Sequence, residues 1–220
     1  MKQLAMPAAM WVVFQGSFTK HLPILNVAEP AACMRKAKRQ YREIIRSLPA
    51  YGKDDVLLVN LLSAAMVAAV YLSLDEKAGV AQMKAYYSKA MGDSFVATRL
   101  FKSRDFYSKK YQDTLSAGGE RSQRATNPYT WRYKVIPGET LDSFDAIFDK
   151  CGIFELYKHL DISEITPALC AYDYDMAELT NTVFTREYTL AGGGPVCDCH
   201  YRRRRGACEA QSEFGGNHGL

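Results

Sequence analysis

The chain has 220 residues, 48% of them hydrophobic and 24% charged, with a formal net charge of +4. That length buries one sizeable core, and the composition suits an ordinary globular domain rather than a disordered or fibrous chain. Arg202 to Arg205 carry the whole excess of positive charge. The body is therefore neutral and has no basic footprint for DNA or RNA.

Residues 1–30 read as irregular, punctuated by Pro7, Gly16, Pro23 and Pro30. Pro7 interrupts the apolar stretch after Lys2, and no clean small-residue cleavage site follows, so no targeting segment is expected. A helix is predicted from Glu29 to Leu48, with Pro30 in its first turn, where the missing N–H does no harm. Arg35, Lys36, Lys38, Arg39 and Arg42 form its wet face. Met34, Ala37, Tyr41, Ile44, Ile45 and Leu48 point to the core.

Pro49 to Gly52 breaks the chain, and Val56 to Leu74 then runs without a charge, long enough to raise the question of a membrane span. Asn60, Ser63 and Ser73 interrupt it, charges flank both ends, and no Lys/Arg asymmetry orients it. A buried central helix over 54–76 is the expectation, with no membrane. Gly79 opens a further helical segment that bends near Gly92. The polar stretch 103–130, with Gly118 and Gly119, reads as a loop or marginal helix that is long for a structureless connection and so either covers a site or is mobile.

The pattern changes after Asn127-Pro128. Tyr129 to Gly138 alternates as a strand, while 141–160 reads as helical with a break at Cys151-Gly152. A second helix over 162–180 is entered at Pro167. "TVFTREYTL" and "VCDCHYR" are period-2 runs joined by Ala191 to Pro195, a hairpin signal. The fold class is α+β: a helical N-terminal half packed with a small antiparallel sheet and helices in the C-terminal half. Residues 1–202 are expected to form one domain, 30–100 mainly helical and 128–202 holding the sheet and the cysteine motifs. The remainder, 203–220 with Cys208 and His218, reads as a disordered tail.

Six cysteines are present: Cys33, Cys151, Cys170, Cys197, Cys199 and Cys208. A chain this long needs no disulfide framework, so reduced thiols in a cytoplasmic protein are expected. On a strand, Cys197 and Cys199 share one face, and Asp198 and His200 the other. A lone Cys-x-Cys is a weak zinc pattern, and Cys199 reads as a small buried hydrophobe. Cys151 at one helix end, Cys170 in the first turn of the next and Cys197 at the start of the last strand converge if the helices pack on the sheet. The helix dipole would then favour a Cys170 thiolate, with Asp173 one turn on and Glu178 further along.

A cysteine before a short helix (Cys151), a Pro-x-x-Cys-x-x-Asp run (Pro167, Cys170, Asp173) and an arginine-bearing strand (Arg186) lead to Thr189-Leu190-Ala191-Gly192 and then Cys197-Asp198. In this order, over residues 130–202, the chain resembles the L-2-amino-thiazoline-4-carboxylic acid hydrolase family. It departs in having Cys199 and His200 where the family continues with an aromatic and an arginine, and three glycines in the turn. The helical half, with Asn60 and Gly79, resembles the family only loosely.

The resemblance implies hydrolysis of a cyclic thiazoline carboxylate to N-carbamoyl-L-cysteine. C2 of the ring must be attacked, protons managed and the C–S bond opened. The substrate carboxylate calls for an arginine, with Arg186 the first candidate and Arg132 the second. Two mechanisms fit. In one, Cys170 or Cys197 is the nucleophile and Asp173 or Asp198 moves protons. In the other, Cys151, Cys170 and Cys197 hold a zinc ion that activates water. His159 and His200 are candidates for either site, although surface or packing roles suit them as well. A different class also fits: the same half is distantly similar to small-molecule-binding domains of the four-vinyl-reductase type, which bind without turnover around a structural cysteine cluster. The partner in either case is a small molecule, and a homo-oligomer is compatible with both.

Overall fold

Aromatic spacing makes a helix of the proline-punctuated N-terminus, where an irregular segment was expected. In the computed structural model, which describes residues 5–51, 55 and 57–204 (Leu100 by its backbone alone), α1 spans Ala5–His21. Pro7 sits in its first turn, where no intrahelical N–H is required. Trp11, Phe14 and Phe18 form one buried stripe, and the Phe18 ring meets Tyr86 edge-on at 5.6 Å. α2 (Pro30–Ser47) buries Cys33, Met34, Ala37, Tyr41 and Ile44, while Ile45 and Leu48 are half-buried.

Around these packs α3 (Leu58–Leu72), in which every residue from Leu61 to Tyr71 is buried. Its serines are satisfied internally: Ser63 Oγ lies 3.1 Å from the Tyr87 hydroxyl, and Ser73 Oγ donates to the Ala69 carbonyl at 2.8 Å. No described helix is long and apolar enough to cross a membrane. The bend foreseen near Gly92 is a full break between α4 (Val80–Gly92) and α5 (Phe95–Lys102). Ser94 caps α5 by accepting from the Ala97 N–H.

The segment read as a loop or marginal helix contains α6 (Lys109–Ser122), capped by Ser108, whose Oγ accepts from the Tyr111 N–H. Its glycines do not break it, because they let the sheet come close. A Cβ on Gly119 would lie 3.1 Å from the Tyr133 carbonyl oxygen.

The sheet comprises β1 (Arg132–Pro137), β2 (Ser143–Lys150), β3 (Thr182–Thr185) and β4 (Cys197–Arg203), in the antiparallel order β1-β2-β4-β3. β2 corrects the helix expected before Cys151. Leu141, Phe144 and Phe148 mimic a helical stripe, but Phe144, Ala146 and Phe148 equally fit a period of two. Pairing on both edges decided between them, since β2 is hydrogen-bonded to β1 and β4. On its inner face, Phe148 pairs with Cys197, Ala146 with Cys199 and Phe144 with Tyr201.

The chain leaves β2 through Cys151 into α7 (Gly152–His159), whose Tyr157 hydroxyl donates to the Ala64 carbonyl at 2.8 Å. The second expected helix is two, α8 (Thr166–Cys170) and α9 (Tyr172–Leu179), interrupted at Ala171. β3 and β4 pair antiparallel as the hairpin signal predicted, though β3 ends at Thr185.

The arginine run does not begin as a tail. Arg202 pairs with Asp145 at 2.9 Å, Arg203 with Asp142 at 2.7 Å and Arg204 with Glu178 at 2.6 Å. Arg205, Cys208 and His218 lie outside the described residues.

Candidate active site

Between the inner face of the sheet and helices α6 to α9 lies a cleft of about 180 Å³. Strand alternation turns Cys197 and Cys199 into it, the end of β2 delivers Cys151, and the α8–α9 junction delivers Cys170 and Asp173. Arg186, just beyond β3, completes the set. Phe106, Tyr111 and Leu115, from the segment expected to cover a site, close one side. A larger hollow of about 670 Å³ beside Cys33 and the Lys36–Asp75 pair holds none of these groups, so chemistry rather than size selects the cleft.

Arg186 is 7% exposed at its side chain and donates to Asp173 Oδ2 at 2.7 Å and to the Cys170 carbonyl at 3.0 Å. Burial alone would lower its pKa, but the Asp173 carboxylate outweighs that and holds it up. For Asp173 the balance is reversed. Burial raises its pKa above the ordinary carboxylate value, and Arg186 only partly offsets this. Its side chain stays 34% exposed.

Every thiol in the cleft is held in its neutral form. Burial pushes Cys151 up to about 11 and Cys199 up to about 12. Cys170 rises further, through burial and then the charge of Asp173. The dipole-stabilised Cys170 thiolate is therefore corrected: Cys170 closes α8 instead of opening a helix, and burial and the Asp173 charge hold its thiol protonated. Cys197 is also raised by burial, and Asp173 and Asp198 add to that, while the Leu190 N–H pointing at its Sγ from 3.3 Å and Arg186 oppose it. Thr189 fixes that turn, its hydroxyl accepting from the Gly192 N–H at 2.9 Å.

Other sequence candidates stand elsewhere. Asp198, on the opposite strand face, accepts from the Tyr188 and Glu187 N–H groups at 2.6 and 3.2 Å and binds the β3–β4 connection together. His200 lies between Asp145 and Asp198 on that same face. Arg132 is exposed and engaged with Asp149 at 2.9 Å. His159 is exposed beside the Tyr129 ring, and Glu178 pairs with Arg204. Among the described residues, no group of three or more His, Cys, Asp or Glu side chains is placed to hold a metal ion. The Cys151, Cys170 and Cys197 donors share the cleft without forming a ligand set for zinc.

The residue that sequence reasoning missed is Arg104. It lines the cleft, its guanidinium lies 5.3 Å over the Phe101 ring, and it has no carboxylate partner among the described residues. In sequence it is one charge in a polar stretch. The only hint was the length of that stretch. Asn60, noted only as an interruption of a buried helix, also lines the cleft.

Residues 59–201, well over half of the chain, match the family model described as L-2-amino-thiazoline-4-carboxylic acid hydrolase. No curated protein and no solved structure matches the chain.

Proposed function

Because this chain belongs to the L-2-amino-thiazoline-4-carboxylic acid hydrolase family, we propose that it is a hydrolase opening a 2-amino-thiazoline-4-carboxylate to N-carbamoyl-L-cysteine. The observation that carries the reading is one cleft lined by Cys197, a carboxyl raised by burial (Asp173) and an arginine without a carboxylate partner (Arg104). Its volume, about 180 Å³, is below that of a drug-sized site and suits a single small ring.

Arg104 binds the substrate carboxylate, the part first given to Arg186, because Arg186 is already engaged by Asp173 and the Cys170 carbonyl. Cys197 is the nucleophile, since the Leu190 N–H and Arg186 both favour its anion. As its sulfur bonds to C2, its proton passes to the Asp173 carboxylate. The ring C2–S bond then breaks, and the departing sulfur takes that proton and leaves as a thiol. The carbon remains on Cys197 as an isothiourea. Water attacks it, giving one proton to the imino nitrogen and the other to Asp173, which returns that proton to the departing Cys197 sulfur as the carbamoyl product is released. One water is consumed and no redox partner is needed. The unpaired thiols Cys33, Cys151, Cys170, Cys197 and Cys199 support a reducing, cytoplasmic setting.

Cys197→Ala is expected to lower thiazoline turnover by about 10³-fold or more, as loss of a nucleophile does. Cys170→Ala should keep most of it, and a chelator should change neither. Intact-mass spectrometry of wild type quenched during turnover should find the isothiourea adduct, absent in Cys197→Ala. Full activity in Cys197→Ala would sink the nucleophile assignment. Wild-type protein that binds the thiazoline without turning it over would favour the binding-module class.

A further inference from the structure

Beside the cysteine cleft lies a second hollow of about 230 Å³. The two share Asn60, Arg104, Ile153, Leu169, Asp173 and Met176. The rest of its wall is mostly apolar: Met10, Val13 and Phe14 come from α1, Met91 from α4, and Val96 and Phe101 from α5. Several of its apolar residues stay open to solvent, Val13 at 39%, Val59 at 41% and Val96 at 42%. Apolar side chains gathered around a hollow and left in water mark a surface that something apolar covers. The Tyr172 hydroxyl at this wall is buried without a hydrogen-bond partner. A small thiazoline ring that fills the cleft makes no use of this chamber. The α1 wall, moreover, lies outside the matched residues 59–201.

We infer that the site takes a carboxylate bearing an apolar arm, with the carboxylate on Arg104 and the arm in the chamber walled by α1. This rests on the proposed hydrolase reading and names its substrate class, a thiazoline carboxylate with an apolar substituent. Arg104 stands at the seam of the two hollows with no carboxylate partner among the described residues, and its guanidinium lies over Phe101, itself part of the chamber wall. A cation beside an apolar chamber matches the two ends of an amphiphilic acid. Asp173, also at the seam, is occupied by Arg186 and so does not neutralise Arg104.

The probes are straight-chain carboxylates from acetate to octanoate, titrated calorimetrically against the full chain. Affinity is expected to rise about fourfold per methylene and then level off as the chamber fills. Arg104→Ala should weaken the whole series about tenfold or more, as loss of a charged hydrogen bond does. Val13→Trp should flatten the series. Val12→Trp, which faces a neighbouring hollow lined by Trp11 and Arg42, should keep it. Circular dichroism and melting curves verify that each variant is folded. A flat series in the wild type overturns the inference, as does a series lost in Val12→Trp but kept in Val13→Trp. Turnover of the unsubstituted thiazoline in the same preparations separates the two readings. Turnover with a flat series sinks the chamber and leaves the hydrolase. Chain-length-dependent binding without turnover leaves the chamber and sinks the hydrolase.

Discussion

Asp173 and Arg186 illustrate how a site is set by pairing rather than by residue type. The arginine is buried and tethered twice, so it orients the carboxylate more than it meets a ligand. Burial still wins at Asp173, whose pKa rises above the ordinary 3.8. The folded state therefore holds that proton more tightly than the unfolded chain, and its contribution to stability falls as pH rises through the folded value. Activity has the opposite sign, because the proposed step needs the ionised form. The acid limb of the pH dependence of kcat/KM is expected above the range of an ordinary aspartate, and Asp173→Asn should abolish turnover while Arg186 stays in place. A limb at the ordinary carboxylate value would remove Asp173 from the proton-transfer role. Cys170 shows the same dependence on surroundings, since the break at Ala171 changed it from a helix opener to a helix end.

At the level of elements, glycine positions separate close packing from mere flexibility. Gly152, the first residue of α7, has no room for a side chain: a Cβ there would overlap the Tyr129 carbonyl oxygen and press on the Trp131 ring. Gly152→Ala should therefore destabilise by about 2 kcal/mol through overpacking against backbone, and it would shift the neighbouring Cys151. Gly16, inside α1, meets nothing within 4 Å. Gly16→Ala should stabilise by about 0.5–1 kcal/mol through helix propensity alone. Thermal melts of the two variants should move in opposite directions, and a stabilised Gly152→Ala would contradict the packing described.

For the whole molecule, α1 and α2 cover the central helix α3, and the sheet closes on α6. Phe18 ties α1 to α4: it is fully buried, its ring meets Tyr86 edge-on, and its carbonyl accepts from the Tyr86 hydroxyl at 3.2 Å. Phe18→Ala is expected to cost about 3–5 kcal/mol, as for other large-to-small aromatic substitutions in cores. Chemical denaturation should show the loss as a lower midpoint with an unchanged slope. A change below about 1 kcal/mol would mean that α1 is not integral to the core. The apolar chamber also depends on α1, so the N-terminal helix contributes to the site as well as to stability.

The sequence by itself determined the fold class, the α2 boundaries, the buried α3, the pairing of β3 with β4 and the shared face of Cys197 and Cys199. Each of these rests on a local period or a terminating residue, and such signals survive without knowledge of neighbours. Residues around Cys151, Pro167, Cys170, Asp173 and Cys197 also carried the family resemblance that the match over residues 59–201 supports. Only the tertiary structure decided that β2 is a strand, because its residues fit two periods and pairing with β1 and β4 chose one. It alone also turned the irregular N-terminus into α1 and tied Arg186 to Asp173 while leaving Arg104 without a carboxylate partner among the described residues. Availability is a property of partners in space: Asp173 occupies one arginine and no described carboxylate occupies the other. No spacing along the chain encodes that difference.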